Sequence, residues 1–227
     1  PERLKFVFIN LEGHLDGIYI DERYTVAASY RLLLPNILPD YESVIYLDCD
    51  IIVRNNLAKL YYSIGLHNYY LAAVFEATLD FQRPYLEQIG CKPGEYINSG
   101  FLIMNLERMR MDNIVPKLIQ KLDNPNSNFP DQDALNIICQ GHILFLSPIY
   151  NSIRTYFLPQ YKEDFLRYYT LSDWDDVQQH GTIHYTGAKP WNSYTIEFDT
   201  WWKYYQGLPK VIKKLGPVNA KLLFLAK

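Results

Sequence analysis

Short apolar runs alternate with amphipathic stretches along the chain. The apolar runs predict strands because leucine, β-branched and aromatic side chains are concentrated in them. The predicted strands cover residues 4–9, 44–47, 70–75, 98–105, 142–146 and 182–185. The amphipathic stretches predict helices at residues 23–34, within 106–120 and at 131–139, with a loop at 13–20. Because strands and helices alternate, the pattern predicts an α/β fold with a mixed, mostly parallel sheet flanked by helices.

Three residues predict where these helices begin and end. Pro35 is expected to stop the first helix, because its ring has no N–H to donate and clashes with the preceding turn. Asp131 is expected to cap the N-terminus of the third helix, and Gly141 to lie beyond its C-terminus. The predicted elements therefore have defined ends as well as defined cores.

The second predicted strand ends in two carboxylates. Residues 44–53 read VIYLDCDIIV, and the apolar residues before Asp48 are typical of a strand buried on both faces. In an extended chain residues two apart point the same way, so Asp48 and Asp50 project together and Cys49 points away. Such a pair favours a hard divalent cation as its partner. A strand that ends in a solvated turn is the alternative interpretation of these residues alone.

A histidine lies in the last predicted strand, and a lysine follows that strand closely. Residues 182–191 read TIHYTGAKPW, which places His184, Gly187 and Lys189 around one turn. Gly187 allows the backbone to come close to a ligand. Two carboxylates, an imidazole and an ammonium suit a diphosphate bound through Mn²⁺ or Mg²⁺. A histidine packed in the core, with no ligand, is the alternative.

Composition and charge exclude some classes of protein. The 227 residues suffice for one sizeable domain with or without an appendage, and the net charge of −3 gives no general attraction for nucleic acid. No apolar run reaches membrane-spanning length. Cys49, Cys91 and Cys139 are widely spaced, and we expect them to be small buried hydrophobes in a reducing compartment, which predicts a cytoplasmic protein.

Four blocks of sequence resemble the glycosyltransferases of family 8, the retaining transferases that include bacterial lipopolysaccharide galactosyl- and glucosyltransferases and glycogenin. The blocks read ASYRLLLPNILPD, YLDCDIIV, YINSGFLIMNLERMR with DQDALN, and HYTGAKPW, in the order of the family. The resemblance implies a GT-A fold, a UDP-sugar donor, and a glycan or lipid-linked acceptor. It also implies retention of configuration at the transferred hexose.

The resemblance also implies the roles of individual residues. Asp48, Asp50 and His184 match the ligands of a divalent metal, and Gly187 and Lys189 match the turn that contacts the diphosphate. Six further residues match positions around the donor sugar. They are Arg31, Glu76, Asn98, Ser99 and the catalytic pair Asp131 and Gln132.

Several of these assignments have simpler alternatives. Asn98 could only begin a strand, Asp131 could only cap a helix, and Arg31 could only pair with a surface acid. Glu76 stands where many relatives carry an aspartate, which leaves the donor open between UDP-glucose and UDP-galactose. Because Gln132 is an amide, a front-face reaction and a covalent intermediate both stay open.

The resemblance predicts a GT-A domain at residues 1–200 and a basic, aromatic tail at 201–227. Relatives carry a base-binding loop and further β/α units before the segment that resembles residues 4–9. If the 227 residues are the whole molecule, we therefore expect donor binding to be weak or absent; if they are a fragment, we expect the full protein to be active. The tail contains six lysines and no acid, which favours contact with an anionic membrane surface; a packed terminal helix is the alternative.

Two other classes of function stay open on the sequence. A phosphatase of the haloacid dehalogenase type also has a D-x-D after an apolar strand, although it gives His184 and Lys189 no role. A sugar-binding module without catalytic activity is the third hypothesis of function. Transfer of a hexose, release of phosphate, and binding without turnover distinguish the three.

Overall fold

A computed structural model describes residues 5–15, 26–124 and 126–215 of the chain. Its strands form a four-stranded sheet in the order β1-β4-β3-β5 and a three-stranded sheet in the order β2-β7-β6. The strands are β1 (Ser43–Leu47), β2 (Ile51–Ile52), β3 (Leu71–Phe75), β4 (Ile97–Asn105), β5 (Ile143–Phe145), β6 (Ser152–Ile153) and β7 (Ile183–His184). The strands predicted after residue 43 are thus confirmed with small shifts at their ends.

The α-helices lie between and beyond these strands. They are α1 (Val26–Ser29), α2 (Leu34–Ile37), α3 (Leu57–Ser63), α4 (Arg83–Gln88), α5 (Leu106–Met111), α6 (Ile114–Leu122), α7 (Pro130–Ile138), α8 (Lys162–Leu166), α9 (Leu171–His180), α10 (Phe198–Gly207) and α11 (Lys210–Leu215). Short 3₁₀ turns occupy Tyr30–Leu33, Asp80–Gln82, Pro148–Tyr150, Arg154–Phe157 and Pro159–Tyr161. The predicted α/β class is confirmed.

The expectation of a mostly parallel sheet is wrong for the described strands. Strand β4 lies between β1 and β3 and is antiparallel to both, whereas β3 and β5 are parallel. In the smaller sheet β2–β7 is antiparallel and β6–β7 parallel. Since β1, β3 and β5 point the same way, the reversed β4 begins where β1 and β3 end. The ends of β1, β3 and β5 and the start of β4 therefore lie at one end of the sheet, which we call the site edge.

The core lies on both faces of β3 and β4. Leu71, Ala73, Leu102 and Met104 face the cluster that includes helices α6 and α7. Their sequence neighbours face a second cluster with α8 and α9, as the two-residue period of a strand requires. Full burial of each Leu or Met side chain contributes about 1.5–3 kcal/mol. These two central strands therefore hold the site edge in place.

Strand β1 differs from the prediction because it lies at the edge of the sheet. Its residues are half-buried, and Leu47 is 37% exposed. The apolar run was expected to be buried on both faces. In the described part of the chain β1 pairs with β4 alone, and no described strand lies along its other side.

Two predicted helices are divided. The first runs from α1 through a 3₁₀ turn into α2, and Pro35 lies in the first turn of α2, where a proline needs no N–H donor. Pro35 therefore does not stop the helix, and residues 23–25 lie outside the described part. The stretch 106–120 holds α5 and α6, which are separated at Asn113 by a left-handed backbone (φ 49°).

The predictions for the N-terminal segment and for one cysteine are wrong. Residues 5–10 form no regular structure, and Phe6 and Phe8 are 76% and 93% exposed. An apolar run becomes a strand only when a neighbouring strand pairs with it, and the described residues provide none. Residues 12–15 form a turn, and the rest of the predicted loop lies outside the described part. Cys49 is exposed, whereas Cys91 and Cys139 are buried as expected.

Candidate active site

Two strand pairings bring Asp48, Asp50 and His184 together. Asp48 follows β1, and its N–H donates to the carbonyl of Gly100 on β4 (2.8 Å). Asp50 precedes β2, whose Ile51 pairs with His184 on β7. One ligand atom from each of the three side chains lies within 4.8 Å of the others. The two carboxylates therefore converge with a residue far along the chain, as predicted, although residues 49–50 form a turn and not the extended chain that the prediction assumed.

In each carboxylate one oxygen is bonded to a neighbouring side chain, and the other oxygen faces the imidazole of His184. Asp48 Oδ1 accepts from the Tyr46 hydroxyl (2.7 Å) and pairs with Arg31 Nη2 (2.9 Å). Asp50 Oδ2 accepts from the ammonium of Lys189. The other oxygens lie 3.7 Å (Asp48 Oδ2) and 3.4 Å (Asp50 Oδ1) from Nε2 of His184.

These separations fit ligands that share one small cation. Octahedral ligands at about 2.1 Å from an ion stand about 3 Å apart, which is slightly less than the 3.7 Å and 3.4 Å from Nε2 of His184 to the two carboxylates. Two carboxylate oxygens and one imidazole nitrogen are also a donor set that suits Mn²⁺ or Mg²⁺. The residues present therefore fit such an ion.

The charges around the site shift the pKa of Asp50. Burial alone would raise this pKa, but the hydrogen bonds and charges of His184 and Lys189 lower it to about 2. Lys189 also donates to the carbonyl of Tyr185 (2.7 Å), which holds the ammonium next to the carboxylate. Burial raises the pKa of Tyr46, so its phenol stays protonated and donates to Asp48.

Two glycines make room at the site. A Cβ on Gly100 would lie 2.2 Å from Cε1 of His184 and 2.9 Å from Oδ2 of Asp48, so no larger residue fits without displacing both. Gly187 has a φ of 82°, a left-handed conformation that favours glycine, and a Cβ there would lie 3.7 Å from Nη1 of Arg154. Gly187 thus forms the predicted tight turn, and Gly100 is a requirement that the sequence analysis did not identify.

Arg31 is buried and binds several side chains of the site, so it is not the partner of a surface acid. Its side chain is 5% exposed and pairs with Asp48 and with Asp131 Oδ2 (3.1 Å). Its Nη1 donates to the carbonyl (2.5 Å) and hydroxyl (2.9 Å) of Ser99. The guanidinium also lies 4.6 Å from the centre of the Tyr46 ring. Because its five N–H groups form a rigid fork, arginine can hold two carboxylates and a backbone carbonyl at once.

Asp131 does not cap α7, contrary to the prediction. The helix begins at Pro130 with Phe129 as its N-cap residue, and Asp131 lies inside the first turn with its carboxylate directed to Arg31. Burial raises the pKa of Asp131, and Arg31 opposes this shift. Asp133 is the residue that accepts the N–H of Phe129 (3.1 Å), and it also accepts the Tyr96 hydroxyl (2.5 Å).

A second cluster of polar side chains lies at the site edge and consists of Glu76, Asn98 and Gln132, which we call the Glu76 group. Glu76 Oε1 accepts from Asn98 Nδ2 (3.0 Å) and from Gln132 Nε2 (3.2 Å). Gln132 Oε1 accepts the N–H of Ser99 (3.0 Å), which ties this group to Arg31. Burial raises the pKa of Glu76, although the hydrogen bonds from Asn98 and Gln132 act against this.

Hydrogen bonds and ion pairs thus connect ten of the eleven predicted site residues at one edge, and Gly187 forms the turn beside Lys189. Sequence reasoning missed Tyr46, Gly100 and Asn151. Tyr46 lies two residues before Asp48 on the same side of β1, which is a signal the alternation could have supplied. The importance of Gly100 and Asn151 depends on the position of His184, which no local pattern specifies.

The fold is that of GT-A glycosyltransferases. Residues 19–195 match the family described as Glycosyl transferase family 8, and the chain belongs to this family. The structure is similar to galactosyltransferase LgtC in complex with donor and acceptor sugar analogues, with a TM-score of 0.69 and 24% identity over 87% of this chain and 74% of LgtC. That level of identity supports the fold alone.

Most of the curated relatives are named as glycosyltransferases, and one is named as a stress protein. A putative glycosyltransferase of Haemophilus influenzae is 34% identical over 56% of this chain and 40% of its own length. General stress protein A of Bacillus subtilis is 32% identical over 75% of this chain and 61% of its own length. A lipopolysaccharide 1,2-glucosyltransferase of Escherichia coli is 28% identical over 68% of this chain and 46% of its own length. The chain therefore spans less than two thirds of the length of these relatives.

Proposed function

We propose that the protein is a metal-dependent, retaining hexosyltransferase that moves glucose or galactose from a UDP-sugar to a hydroxyl of a glycan or lipid-linked acceptor. The observation that carries the proposal is the convergence of Asp48, Asp50 and His184 next to two cations and a polar pocket. Membership of family 8 supports the same reaction class. A role in lipopolysaccharide synthesis would agree with the names of two relatives.

Asp48, Asp50 and His184 would hold Mn²⁺ or Mg²⁺ through the three atoms that face one another. When bound, the ion would neutralise negative charge on the diphosphate leaving group. The oxygens tied to Arg31 and Lys189 would not be available to it, which keeps each carboxylate in a single orientation.

Lys189 and the Gly187 turn would bind the diphosphate beside the ion. The Lys189 side chain is 32% exposed, so its ammonium can reach a phosphate oxygen and still stay close to Asp50. Absence of a side chain at Gly187 lets backbone N–H groups approach the same phosphates. Charge that develops on the leaving group would then meet cations that are already in place, which is the source of most electrostatic stabilisation in enzymes.

The Glu76 group would bind the hydroxyls of the donor sugar. Its amides and carboxyl offer both donors and acceptors, and such groups discriminate the stereochemistry of hydroxyls better than an apolar surface does. Asp131 forms an ion pair with Arg31, and the side-chain carbonyl of Gln132 accepts a hydrogen bond from Ser99. Neither is presented as a free nucleophile, which favours a front-face reaction over a covalent intermediate.

A transfer assay with the purified full-length protein tests the proposal. We expect Mn²⁺-dependent transfer of a hexose from UDP-glucose or UDP-galactose, seen by mass spectrometry, with a retained anomer seen by NMR. Asp48→Ala should reduce transfer by about 10²–10³-fold, because a charge-stabilising group is lost. The exposed acid Glu87 serves as the matched control, and Glu87→Ala should leave the rate unchanged.

Other outcomes of this assay would identify a different function. An inverted anomer would refute the retaining assignment. Donor binding without turnover would favour a sugar-binding module. Release of inorganic phosphate without transfer would favour the phosphatase reading, which the family match does not support.

The C-terminal helices support a second, weaker proposal of contact with an anionic membrane surface. Among the described residues, none of the helices combines the length and apolar character that crossing a bilayer requires. Val211 and Ile212 of α11 are 64% and 46% exposed and lie beside the exposed Lys210 and Lys214. Residues 216–227 of the predicted tail lie outside the described part, and its division from residues 1–200 stays a prediction.

A further inference from the structure

We infer that Asn151 is a positioning residue that keeps the proton of His184 on Nδ1 and connects the metal ligands to the sugar pocket. The inference rests on the proposed function, because it takes the Nε2 side of His184 as the side that binds the ion. Asn151 is fully buried, lies between β5 and β6, and had no role in the sequence analysis.

The amide of Asn151 bridges two site residues. Its Oδ1 lies 2.9 Å from Nδ1 of His184, and its Nδ2 donates to Oδ1 of Asn98 (2.9 Å). Asn98 in turn donates through Nδ2 to Glu76. A continuous line of side chains therefore runs from the imidazole to the carboxyl that we assign to the donor sugar.

The direction of every hydrogen bond in this line follows from one backbone N–H. The N–H of Gly100 donates to Oδ1 of Asn98 (3.0 Å), so this oxygen must be the acceptor side of that amide. Asn151 must then present its NH₂ group to Asn98, which leaves its carbonyl oxygen for His184. A carbonyl oxygen only accepts, so Nδ1 of His184 carries the proton whether the ring is neutral or charged.

This arrangement prepares His184 for a cation. With the proton held on Nδ1, the lone pair of a neutral ring is on Nε2, the atom that faces Asp48 and Asp50. Ligating histidines commonly donate their second N–H to a fixed acceptor, which sets the orientation of the ring, and loss of that acceptor lowers metal affinity about 10–100-fold. Asn151 is this acceptor, and through Asn98 it also fixes Glu76.

The first test is the site of the proton in the unsubstituted protein. Nitrogen-15 NMR of the imidazole distinguishes a protonated from an unprotonated Nδ1, and it needs neither metal nor activity. We expect a protonated Nδ1 with slow solvent exchange. An unprotonated Nδ1 would overturn the inference, because the amide of Asn151 would then be reversed.

The second test compares three variants by Mn²⁺ affinity, measured by electron paramagnetic resonance with UDP present. Asn151→Leu removes both hydrogen bonds and should weaken Mn²⁺ binding about 10–100-fold. Asn151→Asp keeps an acceptor for Nδ1–H but loses the donor to Asn98, so it should retain most of the Mn²⁺ affinity and bind the UDP-sugar more weakly than UDP. Thermal unfolding confirms that each variant is folded.

Asn55→Ala is the matched control. Asn55 also donates through its amide, to the carbonyls of Ile149 (3.0 Å) and His180 (2.9 Å) and to the hydroxyl of Thr182 (3.2 Å), close to the same small sheet but with no hydrogen bond to His184. This variant should lose stability and keep its Mn²⁺ affinity. Equal losses of affinity in Asn151→Leu and Asn55→Ala would reduce Asn151 to a structural residue. Absence of hexose transfer together with the expected NMR and Mn²⁺ results would refute the proposed function alone.

Discussion

The charged side chains of the site edge are mostly buried and paired, whereas those of the C-terminal helix α11 are mostly exposed. At the site edge Arg31, Asp48 and Asp50 are 5%, 23% and 11% exposed, and each is paired. On α11 Lys210 and Lys214 are exposed, and no described carboxylate pairs with either. Buried charges depend on their partners, whereas exposed charges are hydrated and screened by salt. A substitution should therefore have a large, local effect in the first region and a small, salt-dependent effect in the second.

Arg31→Leu should produce the largest loss of stability. The substitution leaves the buried Asp131 and the half-buried Asp48 without their shared cation, which costs about 3–5 kcal/mol. Urea unfolding measures the effect. The control is Arg167→Leu, since Arg167 is 46% exposed and pairs with exposed or half-buried acids, and a change of about 0–1 kcal/mol is expected. Similar losses in the two variants would remove the contrast between buried and exposed charge.

Gly100→Ala should damage the ion site more than the fold. The added methyl group would displace His184 and Asp48, and such overpacking costs about 1–3 kcal/mol. We expect loss of measurable Mn²⁺ binding by calorimetry while the variant stays folded. Gly207 has open space around its Cα, so Gly207→Ala should bind Mn²⁺ like the unsubstituted protein. Retained binding in Gly100→Ala would show that His184 is not needed where the structure places it.

Glu76→Asp should change the choice of donor. The shorter side chain cannot reach both Asn98 and Gln132 in their present positions, so the hydroxyls of the sugar meet a different set of hydrogen bonds. We expect the ratio of kcat/KM for UDP-glucose and UDP-galactose to change about 10-fold or more, with a smaller effect on stability. An unchanged ratio would exclude Glu76 from the sugar pocket.

Glu76→Gln should alter the pH dependence of stability. The pKa of Glu76 is raised in the folded protein, so its favourable contribution is complete below the ordinary carboxyl pKa of about 4.3 and is lost as pH rises through the raised value. The unsubstituted protein should lose stability relative to Glu76→Gln across that interval. Urea unfolding of both proteins between about pH 4 and pH 8, without metal, measures the difference. A constant difference in the free energy of unfolding would contradict the expected shift.

Removal of the lysines of α11 should have the smallest effect on the folded protein, because exposed charges contribute little to stability, and its effect on binding should depend on salt. Replacing Lys210, Lys213 and Lys214 by Gln should weaken binding to anionic vesicles by about 1 kcal/mol per lysine at low salt. The control replaces three exposed lysines elsewhere, Lys59, Lys92 and Lys121, and should leave binding unchanged. Co-sedimentation at low and high salt tests this. Equal binding of the two triple variants would favour the packed-helix alternative for this region.

The local part of the fold could be predicted because it depends on neighbouring residues. Apolar runs gave the strands β1, β3, β4, β5 and β7 nearly at their observed ends. Asp48 and Asp50 reach one site as the two-residue period of a strand predicted, but they do so across a turn at residues 49–50 that the pattern did not predict. Residues 5–10 show the limit, since their apolar pattern is typical of a strand and the described structure has none there.

The sequence by itself thus determined the class of fold, the acid pair and, through resemblance, the membership of family 8. Only the tertiary structure decided that β4 runs antiparallel between β1 and β3 and that Asp131 pairs with Arg31. It also decided the roles of Gly100 and Asn151. The physical reason is that propensity and periodicity act over a few residues, whereas strand order and buried hydrogen bonds join residues far apart in the chain. The free energy of these long-range contacts is gained only when the chain folds.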